Sequence, residues 1–335
     1  MREPAFWHRP PSWQSRLLFP LSMLYGAVAA RRMAQGGIDA GVPVICVGNY
    51  HVGGAGKTPT VLALTSLLRE QGEQPVVLSR GYGGRLPGPV LVDPVAHAAA
   101  DVGDEPLMMA AHVPVVVSRA RADGVGLAKA QGASLILMDD GFQNPSITKD
   151  LALIVIDGAR GLGNEQVFPA GPLRAPLPPQ LARTDALIIV GSGDAGDAVA
   201  ARVGDAGKPV FRARLQPDAQ AVAALAGRPL LAFAGIGDPQ RFFRTLHASG
   251  LEVKAERAFP DHHPFSNDEI AALAAQAARE GLTLVTTEKD LARLRRAPSG
   301  RHEAAVSAFP VTLQFDDVAA LRGVVAQRLS AARTS

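Results

Sequence analysis

The run Gly48-Asn49-Tyr50-His51-Val52-Gly53-Gly54-Ala55-Gly56-Lys57-Thr58-Pro59-Thr60 carries glycines, a lysine and a threonine at the spacing of a phosphate-binding loop. It follows the apolar run Val44-Ile45-Cys46-Val47 and precedes a helical pattern of Val61, Leu62, Leu64, Leu67 and Leu68. Strand, glycine loop and helix is the context such a loop requires. The glycines let backbone N–H groups turn around phosphate oxygens, and the helix start adds unpaired donors and the positive end of its dipole. His51, Val52, Gly53, Gly54, Ala55, Gly56, Lys57 and Thr58 are therefore the candidate nucleotide-binding residues, with Lys57 reaching the β- and γ-phosphates of ATP and the Thr58 hydroxyl holding Mg²⁺. The strict pattern has glycine where this chain has His51.

Acidic and basic residues that could complete such a site also sit at strand ends. Asp139 and Asp140 close the apolar run Leu135-Ile136-Leu137-Met138, where a phosphate-loop enzyme keeps the carboxylate that holds Mg²⁺. Asp139 is the first candidate ligand, and Asp140 a second ligand or an orienting group. Taken alone, two aspartates in a turn read as caps; the loop at 51–58 makes them metal ligands. Arg80, Arg119 and Arg174 each follow a strand or sit in a glycine-rich turn, positions that face phosphates in a parallel sheet. By spacing alone Asp104, in Gly103-Asp104-Glu105-Pro106, reads as a helix start, and Asp261-His262-His263 as a surface turn.

The elements that must position these residues follow from the apolar pattern. Short apolar runs at Pro75–Ser79, Pro114–Val117, Ser134–Met138, Leu151–Ile156 and Ala186–Val190 alternate with helical stretches, as in a parallel sheet covered on both faces. The Gly/Pro-rich stretch from Gly161 to Pro179 follows a core strand and reads as a functional loop. After Asp218 the texture changes to alanine-rich helices among strands. The expected organisation is an N-terminal amphipathic helix over 1–35, an α/β P-loop NTPase-like core over 36–215 and a smaller α/β domain over 216–335.

The chain has 335 residues, 47% of them hydrophobic, enough for two cores, and its 19% charged residues describe a folded globular protein. A single Cys46 excludes a disulfide framework and a cysteine-based zinc site, and points to a reducing compartment. The net charge of +3 gives no sign of nucleic-acid binding, but Arg2, Arg9, Arg16, Arg31 and Arg32 stand against only Glu3 in the first 35 residues. The apolar run Leu17–Ala30 between those arginines is shorter than the roughly 20 residues that span a bilayer, and Pro20, Ser22 and Gly26 interrupt it. A helix lying at a lipid surface fits it, with Trp7, Trp13 and Tyr25 at headgroup level. An ordinary helix packed on the domain is the alternative.

Taken together, the phosphate loop, Ser79-Arg80-Gly81-Tyr82-Gly83, Val102-Gly103-Asp104-Glu105-Pro106, Asp139-Asp140-Gly141-Phe142-Gln143, Gly171-Pro172-Leu173-Arg174, Asp261-His262-His263 and Thr287-Glu288-Lys289-Asp290 resemble the tetraacyldisaccharide 4′-kinase family. The resemblance runs from the N-terminal helix nearly to the C-terminus. It implies a peripheral enzyme on the cytoplasmic face of the inner membrane, with no obligate protein partner. It implies transfer of the γ-phosphoryl group of ATP, with Mg²⁺, to the 4′-hydroxyl of the glycolipid tetraacyldisaccharide 1-phosphate, giving lipid IVA. It also implies catalytic roles for Lys57 and Asp139, for Asp104 as the carboxylate that accepts the hydroxyl proton, and for His262 as the partner that orients it. Two positions depart from the family pattern: Asn144 replaces a common histidine and Ala175 a common acid. A nucleotide-switched metal-delivery protein would want a lysine at Val52, Asn-Lys-x-Asp or clustered cysteines, none of which the chain has. A non-catalytic lipid-binding protein would leave Lys57, Asp139 and Asp104 idle.

Overall fold

The computed structural model describes residues 3–294 and 306–334; Arg2, counted above in the basic N-terminus, lies outside them. Up to residue 190 the strands are β1 (Val44–Gly48), β2 (Pro75–Ser79), β3 (Val90–Leu91), β4 (Val115–Val117), β5 (Leu135–Asp139), β6 (Leu151–Asp157) and β7 (Ala186–Val190). In the second half they are β8 (Val210–Pro217), β9 (Leu230–Ala234), β10 (Val253–Ala258), β11 (Thr283–Thr286), β12 (Val306–Ala308) and β13 (Val311–Phe315). The larger sheet has the order β13-β8-β7-β6-β1-β5-β2-β4-β3, and the smaller one β10-β9-β11-β12. In the larger sheet only the edge pairs β13–β8 and β3–β4 are antiparallel. The phosphate-loop strand β1 lies between β5 and β6, so the ends of these strands deliver their loops to one rim.

The continuous apolar runs arise because both faces of the central strands are covered. Ile45, Val47, Leu135 and Leu137 enter one core layer, and Val44, Cys46, Ile136 and Met138 the other. The smaller sheet is likewise sandwiched, with Leu230 and Ala232 on one side and Leu231 and Phe233 on the other.

Two strands that the apolar-run reading did not find correct the expected domain boundary. β8 alternates Phe211 and Ala213, which are buried, with the exposed Arg212 and Arg214, so only one face is apolar. It pairs with β13, and Leu321, Val325 and Leu329 of the helix Val318–Thr334 join the larger core. Residues 311–334 therefore return to the larger sheet rather than completing a domain over 216–335. The smaller lobe is connected through two adjacent crossings, at Asp218 and Pro310, joined by a backbone hydrogen bond of 3.0 Å.

The N-terminal helix Trp13–Met33 packs with its small residues inward. Ser22 donates to the Val167 carbonyl at 2.5 Å, and Gly26 faces Pro176 and Val167. Its large apolar side chains, among them Trp13, Leu17, Leu21, Leu24 and Val28, are exposed. Among the described residues no helix is long and apolar enough to cross a membrane.

Candidate active site

The phosphate loop is held open by its neighbours rather than by itself. Gly53 (φ 106°) and Gly56 (φ 94°) adopt backbone conformations that a side chain would strain. Asn49 braces the loop through Nδ2 to the Gly53 carbonyl at 3.2 Å. The Gly171-Pro172-Leu173-Arg174 segment zips onto the loop entry: Val52 N–H donates to Pro172, Arg174 N–H donates to Tyr50, and Leu173 bridges His51. Gln143 Nε2 donates to the Asn49 carbonyl at 2.7 Å, and Gly48 is small because a Cβ there would lie 2.4 Å from that of Phe142. The separate sequence motifs are thus one packed unit around residues 48–57.

His51, the departure from the strict pattern, turns its ring away into that unit. Its Nδ1 donates to the Val52 carbonyl at 2.9 Å, leaving Nε2 as a buried lone pair without a partner. Burial, with Lys57 and Arg174 adding to it, pushes the imidazole down to about 4 from its ordinary 6.5. A folded-state pKa below the unfolded one gives stability that is fully present above 6.5 and is lost as pH falls towards 4. Relative to His51→Gln, the wild-type protein is expected to lose on the order of 3 kcal/mol between pH 7 and 4, measured as the difference between their urea midpoints. Parallel pH curves for the two proteins would contradict the assignment.

Lys57, Asp140 and Arg174 converge at the mouth of the loop. Lys57 Nζ lies 3.6 Å and Arg174 Nη1 2.8 Å from Asp140 Oδ1, while Arg174 Nε donates to the His51 carbonyl at 3.0 Å. Burial opposes ionisation of Asp140, but Lys57 and Arg174 outweigh it and hold the carboxyl well below the usual carboxylate range. Asp139 is buried beside it, accepting from Ser79 Oγ at 3.2 Å. Burial first, then the charges of Glu105 and Asp140, push the Asp139 carboxyl up to about 7. A carboxyl set among acids and short of a cation suits a hard divalent ion. Asp140 already has two cations on one oxygen, so Asp139 is the better-placed ligand. Among the described residues no three acidic, histidine or cysteine side chains form a ready ion cage. Such a partial set is what Mg²⁺ normally meets, its remaining positions going to water and phosphate oxygens.

The second half of the cleft is made by Asp104 and the smaller lobe. Gly103 (φ 94°) packs under the Tyr82 carbonyl, and Gly84 against Asp101 and Val102, so two glycine motifs lock together and aim Asp104. Asp104 opens the helix Asp104–Met109, one residue after its cap. From the other lobe His262 Nδ1 comes within 3.1 Å of Asp104 Oδ2. His263 turns away to Glu269 at 2.9 Å and stacks on Phe259, so of the adjacent pair only His262 faces the carboxylate.

The arginines divide. Arg174 reaches the site, Arg80 is exposed, and Arg119 donates through Nη2 to the Gly84 and Arg85 carbonyls, bracing that loop. Sequence reasoning missed Arg121, whose buried Nη2 supports the Asp139 and Asp140 carbonyls from below. It also missed Lys289 and Arg293 on Asp104, although their charges line one face of a short helix after Thr287. Glu3 was a fourth: its carboxylate lies against Gly53 and 3.4 Å from Arg160. Asn144, where the family often has histidine, accepts from Ser146 N–H and shapes the turn; Ala175 is wholly buried.

A family model described as tetraacyldisaccharide-1-P 4′-kinase matches residues 14–330. The tetraacyldisaccharide 4′-kinase of Bradyrhizobium sp. (strain ORS 278) is 82% identical over 335 residues, covering all of both chains. That of Nitrobacter hamburgensis is 68% identical, covering 99% of this chain and 100% of its own. A crystal structure of LpxK from Aquifex aeolicus, an "apo" form in complex with ATP, superposes with a TM-score of 0.73 at 27% identity, covering 94% of this chain and 99% of that one.

Proposed function

The chain belongs to the tetraacyldisaccharide-1-phosphate 4′-kinase family, and from that premise we propose how its cleft moves the γ-phosphoryl group of ATP to the 4′-hydroxyl of the glycolipid tetraacyldisaccharide 1-phosphate, the step that forms lipid IVA in lipid A biosynthesis. The observation that carries the reading is the facing of two half-sites: Lys57, Arg174 and Asp139 on one rim, and the Asp104–His262 pair joining the lobes beside them. Phosphoryl transfer needs positioning and charge neutralisation more than covalent help from the protein. Residues 51–58 bind the phosphates through backbone N–H groups, and Lys57 and Arg174 oppose the charge that spreads over the transferred group. Thr58, Asp139 and, after rearrangement of its pairing with Lys57 and Arg174, Asp140 would hold Mg²⁺. When bound, that ion would supply neutralisation of the charge on the nucleotide phosphates. The Asp104–His262 pair orients the acceptor hydroxyl and receives its proton. Incubation with γ-³²P-labelled ATP and the glycolipid in detergent micelles is expected to label the lipid. Hydrolysis of ATP with no label in the lipid would contradict the reading.

The exposed apolar stripe of the helix Trp13–Met33 supports seating on the cytoplasmic face of the inner membrane without spanning it. Arg16, Arg31 and Arg32 flank that stripe, where each is worth about 1 kcal/mol near an anionic leaflet. The triple variant Leu17→Gln/Leu24→Gln/Val28→Gln touches only exposed positions, so it should fold. It is expected to weaken binding to anionic phospholipid vesicles about tenfold or more in a flotation assay. Unchanged flotation would place the anchor elsewhere.

A further inference from the structure

We propose that Glu3 is a positioning residue of the nucleotide site, bracing the phosphate loop at Gly53 from the far N-terminus, with Arg160 and His8 balancing its charge. The proposal rests on the ATP-dependent reading above and extends its nucleotide site to residues 3–8. A side chain at Gly53 would run into Glu3 Oε1, so that oxygen lies directly against the loop backbone. The Gly53 carbonyl is held separately by Asn49 Nδ2 at 3.2 Å. Gly53, with its φ of 106°, is a residue with much freedom to lose when the loop closes around phosphate. Contacts on both its Cα and its carbonyl supply that order before the nucleotide arrives.

Glu3 is itself fixed by the segment that carries it. Trp7 is 3% exposed; its Nε1 donates to the Pro169 carbonyl at 3.0 Å, and its own carbonyl accepts the Asn164 N–H at 2.7 Å. Gly163, at φ 61°, leaves room for that carbonyl. Asn164 Nδ2 donates to the Ala170 carbonyl at 3.0 Å and to Ser15 Oγ at 3.1 Å, tying the start of the helix Trp13–Met33 into the same contact. The stretch 163–170 runs on into 172–174, which pairs with the loop entry at 50–52. One packed unit therefore grips the loop twice, at its entry through residues 172–174 and at Gly53 through Glu3.

The charge of Glu3 is balanced where it stands. Its Oε2 accepts from His8 Nε2 at 2.6 Å and lies 3.4 Å from Arg160 Nη2. Arg160 is placed by its own backbone, whose N–H donates to Asp157 Oδ1 at 3.1 Å at the end of β6, the strand beside β1. Burial opposes ionisation of Glu3, but the His8 hydrogen bond and the Arg160 charge outweigh it and hold the carboxyl below its ordinary value. An unbalanced carboxylate beside a triphosphate would repel it. With a hydrogen bond and a guanidinium on Oε2, Glu3 can bear on the loop through Oε1 without that repulsion.

Calorimetric titration of the full chain with ATP, beside steady-state transfer to the glycolipid, tests this. Glu3→Ala is expected to raise the Kd for ATP about tenfold, with kcat at saturating ATP and the KM for the glycolipid within about twofold of wild type. Arg160→Gln leaves the carboxylate unbalanced beside the phosphates and is expected to weaken ATP binding about tenfold or more, with Arg160→Lys recovering most of the loss. The double variant Glu3→Ala/Arg160→Gln should bind ATP no more weakly than Arg160→Gln alone, because the two residues act as one pair. Wild-type ATP affinity in Glu3→Ala would overturn the brace. Tighter binding in that variant would overturn it as well, by showing that the carboxylate competes with phosphate. A fall in kcat at unchanged ATP affinity would reduce residues 3–8 to a purely structural part and contradict the assignment. Glu3→Gln keeps the side chain's shape, so it answers the same question if Glu3→Ala fails to fold. Failure of the underlying kinase reading is separately visible, because the wild-type protein would then bind ATP and label no lipid.

Discussion

Replacing Lys57 by methionine is expected to lower kcat for transfer by about 10³-fold while leaving the fold intact. Its Nζ sits at the mouth of the loop, 3.6 Å from Asp140 Oδ1, with the helix Lys57–Glu70 beginning at the same residue. The stem is largely enclosed, so methionine fills the same space and removes only the charge. Asp140 keeps its 2.8 Å pair with Arg174, which limits the structural damage. In the proposed reaction the change removes a positive charge from the mouth of the loop, where charge opposition would carry most of the catalysis. A thermal melt within a few degrees of wild type, together with the loss of transfer, checks both parts. A variant retaining more than about a tenth of wild-type kcat would mean that Arg174 and the backbone donors suffice.

The second large effect is expected at Asp104. Asp104→Asn should lower kcat by about 10³-fold and stability by roughly 3 kcal/mol, because the amide removes the charge that Arg293 pairs with and has no second acceptor, so it cannot serve both the Glu105 N–H and the Arg293–His262 donors. Both partners approach the same oxygen, Oδ2, at 2.8 and 3.1 Å, so the two losses share one cause. Combining Asp104→Asn with Arg293→Gln should therefore cost clearly less than the sum of the single changes, in stability and in kcat alike. Additive losses would mean that the two residues act independently.

What the sequence made legible follows from how each element is buried. β1, β5, β6 and β7 carry continuous apolar runs because both their faces are covered, and such runs read directly. β8 and β13 stand at an edge with one face in solvent, so Arg212 and Arg214 interrupt the run and the smaller lobe seemed to extend to the C-terminus. The phosphate loop was visible because its chemistry is local, all within residues 48–60. Arg293 was not, since it acts on a residue 189 positions away, and no local spacing reports that contact. Arg119 and Arg121 illustrate the same limit at short range: both follow β4, yet one bonds the neighbouring glycine loop and the other runs beneath Asp139 and Asp140. His51 looked like a defect in the loop; its burial against residues 172–174 shows why the position tolerates a ring.

The most direct measurement is the position of the new phosphate on the glycolipid after reaction with ATP, read by phosphorus–proton correlation NMR of the purified product. The account predicts a single new phosphomonoester coupled to the 4′ proton of the distal sugar, formed by the wild-type protein and absent with Lys57→Met. A phosphate at any other hydroxyl, or ADP accumulating while the lipid stays unmodified, would contradict it.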